Sequence, residues 1–300
     1  MTESVGTGLK PAPTVLKKAQ LFLNSDFLKK KCYFGKINQK IMTTEIHKTA
    51  IVSPKAQLGE NIKIGAFTII EDDVQIGDNT EIQNHCIIAS GTTIGKNNRI
   101  FSSAIIGTDS QDLKYKGEKT FLTVGDRNII REFVTINRGT GENGLTAVGN
   151  DNAFLAYTHI AHDCKVGNNI IMSNIVQLAG HVELEDYVVL GGLAAVHQFC
   201  KIGCHSMIAA NAIIVKDAPP FSMISREPSF SGTNRVGLAR RGFSSETIRA
   251  ISNFYVTVFK SGLNNSDGIK KFISENEGNI LPEIQHCIDF IQSSERGVLR

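Results

Sequence analysis

Residues 58–100 read LGENIKIGAFTIIEDDVQIGDNTEIQNHCIIASGTTIGKNNRI, and every sixth residue of this stretch, counted from the first, is leucine or isoleucine. The same frame runs from Ile46 to Ile214, where 26 of 29 positions carry a large apolar residue. Average composition would give roughly a third. A period of six fits neither the helical repeat of 3.6 residues nor a coiled-coil heptad. It predicts a solenoid of the hexapeptide type, a parallel β-helix.

We call these apolar sixth residues the rungs, and each hexad is predicted to supply one short strand and one turn. Three hexads then close one triangular coil, with the rungs pointing inward. The position four residues after a rung is mostly small or β-branched, which suits a tight interior corner. Glycine often follows a rung directly, and we expect a positive φ there. Because stacked strands lie about 4.8 Å apart, residues separated by three hexads are predicted to stand above one another.

The frame breaks twice, at residues 107–123 and 139–147, where the chain is polar and contains glycine. Both breaks are interpreted as loops that leave the coil. The frame resumes after each one, so each break replaces whole hexads. Loops on a rigid scaffold often carry binding groups.

The ladder ends at Pro219 and Pro220, and a helix is predicted to begin after an N-cap at Ser244. Two further amphipathic helices are predicted at 266–276 and 281–294. The predicted organisation is therefore a disordered or non-native leader (1–41), a β-helix catalytic domain (42–219) and a helical C-terminal domain (220–300).

The leader holds eight lysines against Glu3 and Asp26, a net charge of about +6, and it contains no arginine. It lacks the apolar core and cleavage site of a secretory signal. We expect its removal to leave assembly and activity intact. A cytoplasmic location is predicted, with an organellar one open if the leader is a transit peptide.

Composition excludes several classes of protein. The net charge of +3 gives no indication of a basic nucleic-acid-binding surface, and no apolar run is long enough to span a bilayer. Cys86, Cys164 and Cys200 fall at interior ladder positions, which indicates reduced core residues rather than a disulfide framework. Cys204 and His205 follow Cys200 closely, but ladder residues explain this group better than a metal site. No metal is predicted.

A polar strip is predicted between residues 159 and 205, which hold five of the eight histidines. The three-hexad spacing places His162 below Gly180 and Gly180 below Gln198. It also places Asp163 below His181, and His197 lies next to Gln198 in the chain. Such a set in register favours a functional site over isolated structural histidines.

Six short runs within the chain carry a resemblance to a known family: QDLKYKGE (111–118), REFVTINRGT (131–140), HIAHDC (159–164), LAGHV (178–182), AVHQFC (195–200) and RRGF (240–243). From residue 42 to the closing SSERGVLR, the chain closely resembles the UDP-N-acetylglucosamine O-acyltransferases of lipid A biosynthesis. The resemblance implies a homotrimer of left-handed β-helices with clefts between subunits. It also implies transfer of a β-hydroxyacyl chain from acyl carrier protein to the sugar 3-hydroxyl, with no cofactor besides this donor.

The resemblance makes His162 the general base, supported by Asp163. An imidazole suits this role because its ordinary pKa lies near neutral pH. It also makes the Gly180 N–H the donor to the developing oxyanion of the thioester.

The remaining implied site residues bind substrate. Those on the first loop contact the sugar, namely Asp112 and Lys114. Others line the pocket, namely His159, His181, His197 and Gln198. A third group meets the nucleotide, namely Asn234, Arg240 and Arg241, with the paired arginines acting as a diphosphate clamp.

Three alternatives stay open from the residues. Hexapeptide trimers include zinc enzymes of the γ-carbonic anhydrase type, which bind the metal through three histidines across a subunit interface. An N-acyltransferase acting on a 3-amino nucleotide sugar is a nearer alternative. A non-catalytic scaffold would have no need for His162 beside Asp163.

Overall fold

The hexad frame folds as a left-handed parallel β-helix, as predicted. The computed structural model describes residues 44–276 and 280–300, so the predicted leader lies outside the described residues. The rungs point inward, and Ile70, Ile106 and Ile160 are all at most 1% exposed. Most strands are only two residues long, because a turn interrupts the chain after each rung.

The strands of the described residues follow one another along the chain with short turns between them. The first ten are β1 (Glu45–Ile46), β2 (Ile51–Val52), β3 (Gln57–Leu58), β4 (Lys63–Ile64), β5 (Ile69–Ile70), β6 (Gln75–Ile76), β7 (Glu81–Ile82), β8 (Ile87–Ile88), β9 (Thr92–Ile94) and β10 (Arg99–Ile100). The next eight are β11 (Ile105–Thr108), β12 (Phe121–Val124), β13 (Ile129–Ile130), β14 (Thr135–Asn137), β15 (Leu145–Val148), β16 (Ala153–Phe154), β17 (His159–Ile160) and β18 (Lys165–Val166). The last ten are β19 (Ile171–Met172), β20 (Gln177–Leu178), β21 (Glu183–Leu184), β22 (Val189–Leu190), β23 (Ala195–Val196), β24 (Lys201–Ile202), β25 (Met207–Ile208), β26 (Ile213–Ile214), β27 (Ser222–Ile224) and β28 (Phe230–Thr233).

Up to β26, every third strand joins the same sheet, which gives the prism three faces. Sheet A runs from β1 to β28, sheet B from β2 to β26 and sheet C from β3 to β24. Paired residues are normally separated by three hexads, as are Ile64 and Ile82. Across the first loop Ile100 pairs with Ile130, five hexads on, and across the second Ile130 pairs with Phe154, four hexads on. Each loop therefore adds a whole number of hexads, and the frame survives both.

The predicted positive φ of the glycines after the rungs is wrong. Among the described residues only Gly107 of this group has one (φ 81°). The left-handed residues instead lie three positions after a rung, as at Asn61 and Asn79 (φ 57° and 58°). Glycine follows the rung because adjacent coils approach closely there: a Cβ on Gly77 would lie 2.7 Å from the carbonyl carbon of Gly95. The small corner residues are confirmed, since Thr68 and Cys86 are fully buried.

A second core lies in the helical region. Its helices are α1 (Arg235–Arg240), α2 (Ser245–Lys260), α3 (Asn265–Glu275) and α4 (Pro282–Gln292). The three longer helices match the sequence prediction, and the Ser244 hydroxyl caps α2 by accepting from the Thr247 N–H at 3.1 Å. Helix α1 and the strands β27 and β28 were not predicted. Because β25 pairs with β27, sheet A continues past residue 219, and the division placed there stays a prediction.

Candidate active site

The centre of the predicted strip is a hydrogen-bonded pair in the turn between sheets B and C. His162 and Asp163 follow the rung Ile160, so the turn directs both side chains away from the core. His162 Nδ1 lies 2.9 Å from Asp163 Oδ2, and the two side chains are only 13% and 14% exposed. With Nδ1 donating to the carboxylate, Nε2 keeps its lone pair for a substrate proton.

The Asp163 carboxylate is held by the second loop. Thr140 donates to it through its main-chain N–H, at 3.1 Å from both oxygens, and through its hydroxyl at 2.5 Å from Oδ2. Burial disfavours the charged form, but the bonds from Thr140 and His162 outweigh it and keep the pKa of Asp163 below its ordinary 3.8. Asp163 is therefore ionised at neutral pH and fixed in orientation. Sequence reasoning did not single out Thr140, although it ends the run REFVTINRGT and lies in the second frame break.

Gly180 lies one coil above His162, as the three-hexad spacing predicted, and the His181 N–H donates to the His162 carbonyl at 3.0 Å. A Cβ on Gly180 would lie 2.4 Å from Cε1 and 2.5 Å from Nε2 of His162. Glycine is required because the imidazole lies directly against its Cα. Among the described residues nothing accepts from the Gly180 N–H, so a ligand can do so.

A cavity of about 530 Å³ opens beside His162 on the outer face of sheet B. It brings together five of the predicted residues, namely Asp112, Lys114, His159, His162 and Gln198. Gln177, stacked on His159 in the sheet, adds to its floor. His159 Nδ1 lies 2.7 Å from the Thr135 hydroxyl, and burial lowers the pKa of this imidazole, which favours its neutral form.

The first loop reaches this cavity because Arg138 anchors its base. This largely buried side chain donates to the carbonyls of Ser90 and Gly107, at 3.1 and 3.0 Å, and forms an ion pair with Asp109. Sequence reasoning did not single out Arg138. Its hydrogen bonds fix where the loop leaves the coil and hence where Asp112 lies.

His181 and His197 lie on the other side of the His162–Asp163 pair. His181 lines a second cavity, of about 710 Å³, together with Asp163 and Arg296. Its ring stacks on Phe199 with centroids 4.5 Å apart. His197 lines neither cavity, and its Nδ1 lies 3.2 Å from an Arg296 nitrogen of the C-terminal tail.

The predicted nucleotide group is not brought to His162 within one chain. Asn234 caps α1 and donates to the His205 carbonyl at 2.9 Å, so its amide is already engaged. Arg241 donates to the Tyr187 carbonyl at 3.0 Å, next to Arg240, whose side chain is exposed. Tyr187 marks the edge between sheets C and A, whereas His162 lies at the edge between sheets B and C. The two groups therefore occupy different edges of the prism.

Comparison with known proteins gives a consistent result along the chain. The family model for domain 2 of the UDP N-acetylglucosamine O-acyltransferases matches residues 217–299, and the bacterial transferase hexapeptide model matches residues 55–90. Within residues 44–276 and 280–300, none of the helices combines the length and the apolar character that a membrane span requires.

Named relatives and solved structures match most of the chain. The acyl-[acyl-carrier-protein]–UDP-N-acetylglucosamine O-acyltransferase of Janthinobacterium sp. is 50% identical over 85% of this chain and 99% of its own. The UDP-N-acetylglucosamine acyltransferase structure from Bacteroides fragilis is 44% identical, over 85% of this chain and 100% of that one, with a TM-score of 0.82. The Arabidopsis structure is 30% identical over the same shares, with a TM-score of 0.76. This chain therefore belongs to the family of acyl-[acyl-carrier-protein]–UDP-N-acetylglucosamine O-acyltransferases.

Proposed function

We propose that the protein transfers a β-hydroxyacyl chain from acyl carrier protein to the 3-hydroxyl of UDP-N-acetylglucosamine, the first step of lipid A biosynthesis. The observation that carries this assignment is the His162–Asp163 pair beside Gly180, at a cavity that the first loop also enters. Similarity to the named acyltransferases along 85% of the chain supports it.

The proposed first step is attack of the sugar on the thioester. His162 Nε2 removes the proton of the 3-hydroxyl, and the oxygen bonds to the thioester carbonyl carbon. Negative charge then develops on the carbonyl oxygen, where the Gly180 N–H donates a hydrogen bond. Asp163, ionised and held by Thr140, stabilises the imidazolium that forms.

In the second step the tetrahedral intermediate collapses. The carbonyl re-forms, the carbon–sulfur bond breaks, and the thiolate of the carrier takes the proton from His162. The donor thioester supplies both the acyl group and the leaving group. We therefore propose that the reaction needs no cofactor or metal.

We also propose that the active protein is a homotrimer. The predicted sugar and nucleotide residues lie on different edges of one chain, so a second copy would supply the missing group. An exposed apolar stripe supports association: Phe133, Tyr157, Ile175 and Leu193 stack along the edge between sheets A and B, each at least 44% exposed. A contiguous exposed apolar stripe usually marks an interface.

A cytoplasmic location is the further proposal. The five cysteines of the described residues are free and four of them are buried, which is typical of reducing compartments. The organellar alternative concerns residues 1–41 and stays open.

The function is tested with purified protein, a panel of β-hydroxyacyl carrier proteins, and UDP-N-acetylglucosamine or its 3-amino analogue. Ester formation on the 3-hydroxyl sugar, faster than amide formation on the analogue, is expected. Faster acylation of the amino sugar would assign the protein to the N-acyltransferases. No transfer to either sugar would overturn the proposal.

A further inference from the structure

Three potential metal ligands of different chemistry meet where helix α4 packs against the β-helix. Glu185 follows the β21 rung, Cys204 lies one coil further on, and His286 projects from α4. The Glu185 oxygen, the Cys204 sulfur and a ring nitrogen of His286 lie within 4.8 Å of one another. Glu185 Oε2 is 2.7 Å from His286 Nε2 and accepts from the Cys204 N–H, also at 2.7 Å.

This cluster is separate from the proposed base, although it lies at the same edge of the prism as the predicted nucleotide group. Glu185 lies after a sheet C rung, near the edge between sheets C and A, whereas His162 lies at the edge between sheets B and C. None of its members lines the cavity beside His162. Cys200 and His205 are not members either: Cys200 is buried in the coil core, and the His205 ring stacks on Tyr187 with centroids 4.7 Å apart.

The donor set matches a borderline transition-metal cation. Thiolate, imidazole and carboxylate are the three side-chain ligands of zinc, at about 2.3 Å for sulfur and about 2.0–2.2 Å for nitrogen and oxygen. Two ligand atoms bound to one ion at these lengths lie further apart than the 2.7 Å that now separates Glu185 Oε2 from His286 Nε2. The hydrogen bond between these two side chains would therefore break when the ion enters. Both side chains have room to rotate, since 34% and 41% of their surfaces are exposed.

We propose that Glu185, Cys204 and His286 form a structural site for Zn²⁺, with water as the fourth ligand. The Cys204 thiol loses its proton to solvent as the sulfur–metal bond forms, so binding releases one proton and changes no oxidation state. The Cys204 N–H orients the Glu185 carboxylate from outside the ligand set. The ion would tie α4 to the coils that carry Glu185 and Cys204, and it takes no part in acyl transfer.

Cobalt(II) added to the metal-free full-length protein tests this site, because thiolate ligation gives a sulfur-to-cobalt charge-transfer band in the near ultraviolet. One equivalent per chain with this band is expected, displaced by zinc. Mutation of a residue that only orients a metal ligand lowers metal affinity by about 10–100-fold. Loss of a ligand itself costs more, so Cys204→Ala and His286→Ala should each weaken cobalt binding by at least about 100-fold. The band itself should be absent in Cys204→Ala.

Matched controls are Cys86→Ala, in the distant coil core, and His47→Ala, on the surface. Both should keep the band. His162, Asp163 and His181 also cluster closely enough to bind a metal, but they contain no sulfur and cannot produce it. Zinc should raise the thermal midpoint of the wild type and not that of Cys204→Ala. Cobalt binding without a thiolate band, or a band that survives in folded Cys204→Ala, would overturn the site without affecting the proposed reaction.

Discussion

Thr140 donates to the Asp163 carboxylate through both its main-chain N–H and its hydroxyl, across 23 residues of chain. This contact joins the second loop to the proposed catalytic pair, because Asp163 also accepts from His162 Nδ1 at 2.9 Å. The loop therefore supports the proposed catalytic pair, although Thr140 itself does not line the cavity beside His162. The orientation of the proposed base depends on it.

Replacing Thr140 tests this dependence. Thr140→Val removes the hydroxyl donor, while Thr140→Ser keeps it as the matched control. A hydrogen bond to a charged group contributes about 1.5–3 kcal/mol, so Thr140→Val should lower kcat/KM by about 10- to 100-fold. Loss of this donor also raises the pKa of Asp163, so activity on acidification should fall at higher pH than in the wild type. Equal pH profiles for the two variants would contradict a positioning role.

Replacing His162 tests the general base. His162→Ala should lower kcat by about 10²–10⁴-fold, because the sugar hydroxyl is a poor nucleophile until deprotonated. Folding should survive, since the buried neighbours Ile160 and Cys164 carry the packing. His181→Ala should be milder, because its ring stacks on Phe199 and does not line the cavity beside His162. The measurements are steady-state kinetics and thermal midpoints, and near-normal activity in His162→Ala would return that residue to a structural role.

Adding one methyl group tests the contact between Gly180 and the base. The Cβ of Gly180→Ala would lie 2.4 Å from the His162 ring, so the imidazole must move and activity should fall sharply. The control is Gly192→Ala, two residues after a rung like Gly180, where the nearest heavy atom is 3.4 Å from the added Cβ. Gly192→Ala should keep its activity. Identical kinetics for the two variants would show that the close approach has no catalytic consequence.

The stability of the protein should depend on pH because the imidazole of His159 is buried. Burial lowers its pKa below the ordinary 6.5, so the unfolded chain takes up a proton that the folded protein resists. The free energy of unfolding should therefore decrease as pH falls through 6.5. His159→Gln keeps a partner for Thr135 and should show a shallower decrease. Denaturant titrations across this pH range measure both slopes, and parallel slopes would contradict the assignment.

The regular coils could be predicted because a fixed spacing in the sequence gives each residue a fixed position on the coil. The three-hexad period predicted that His162 lies below Gly180 and that Gly180 lies below Gln198. The hydrogen bond from the Phe199 N–H to the Gly180 carbonyl confirms the second of these placements. The contact of Thr140 with Asp163 could not be predicted, because the loop that carries Thr140 lies outside the period. The positive φ predicted for glycine after a rung was wrong, because the sequence shows the residue and not the coil that packs against it.

The contact between helix α4 and the β-helix could not be predicted from the sequence either. His286 meets Glu185 across 101 residues, and no repeat connects the two positions. The separation of Arg241 from His162 was hidden too, since motif resemblance carries no information on which edge of the prism a residue occupies. That separation is the basis of the proposed site shared between subunits.

Mixing two variants that are each expected to be inactive tests whether the site is built from two subunits. His162→Ala lacks the base, and the double variant Arg240→Ala, Arg241→Ala lacks the proposed diphosphate clamp. In trimers assembled at random from equal amounts of both chains, about one quarter of the sites combine an intact His162 with an intact arginine pair from the neighbour. Acyl transfer should therefore recover to about one quarter of the wild-type rate, which follows from the same symmetry. Mixed trimers as inactive as either parent would contradict the shared site.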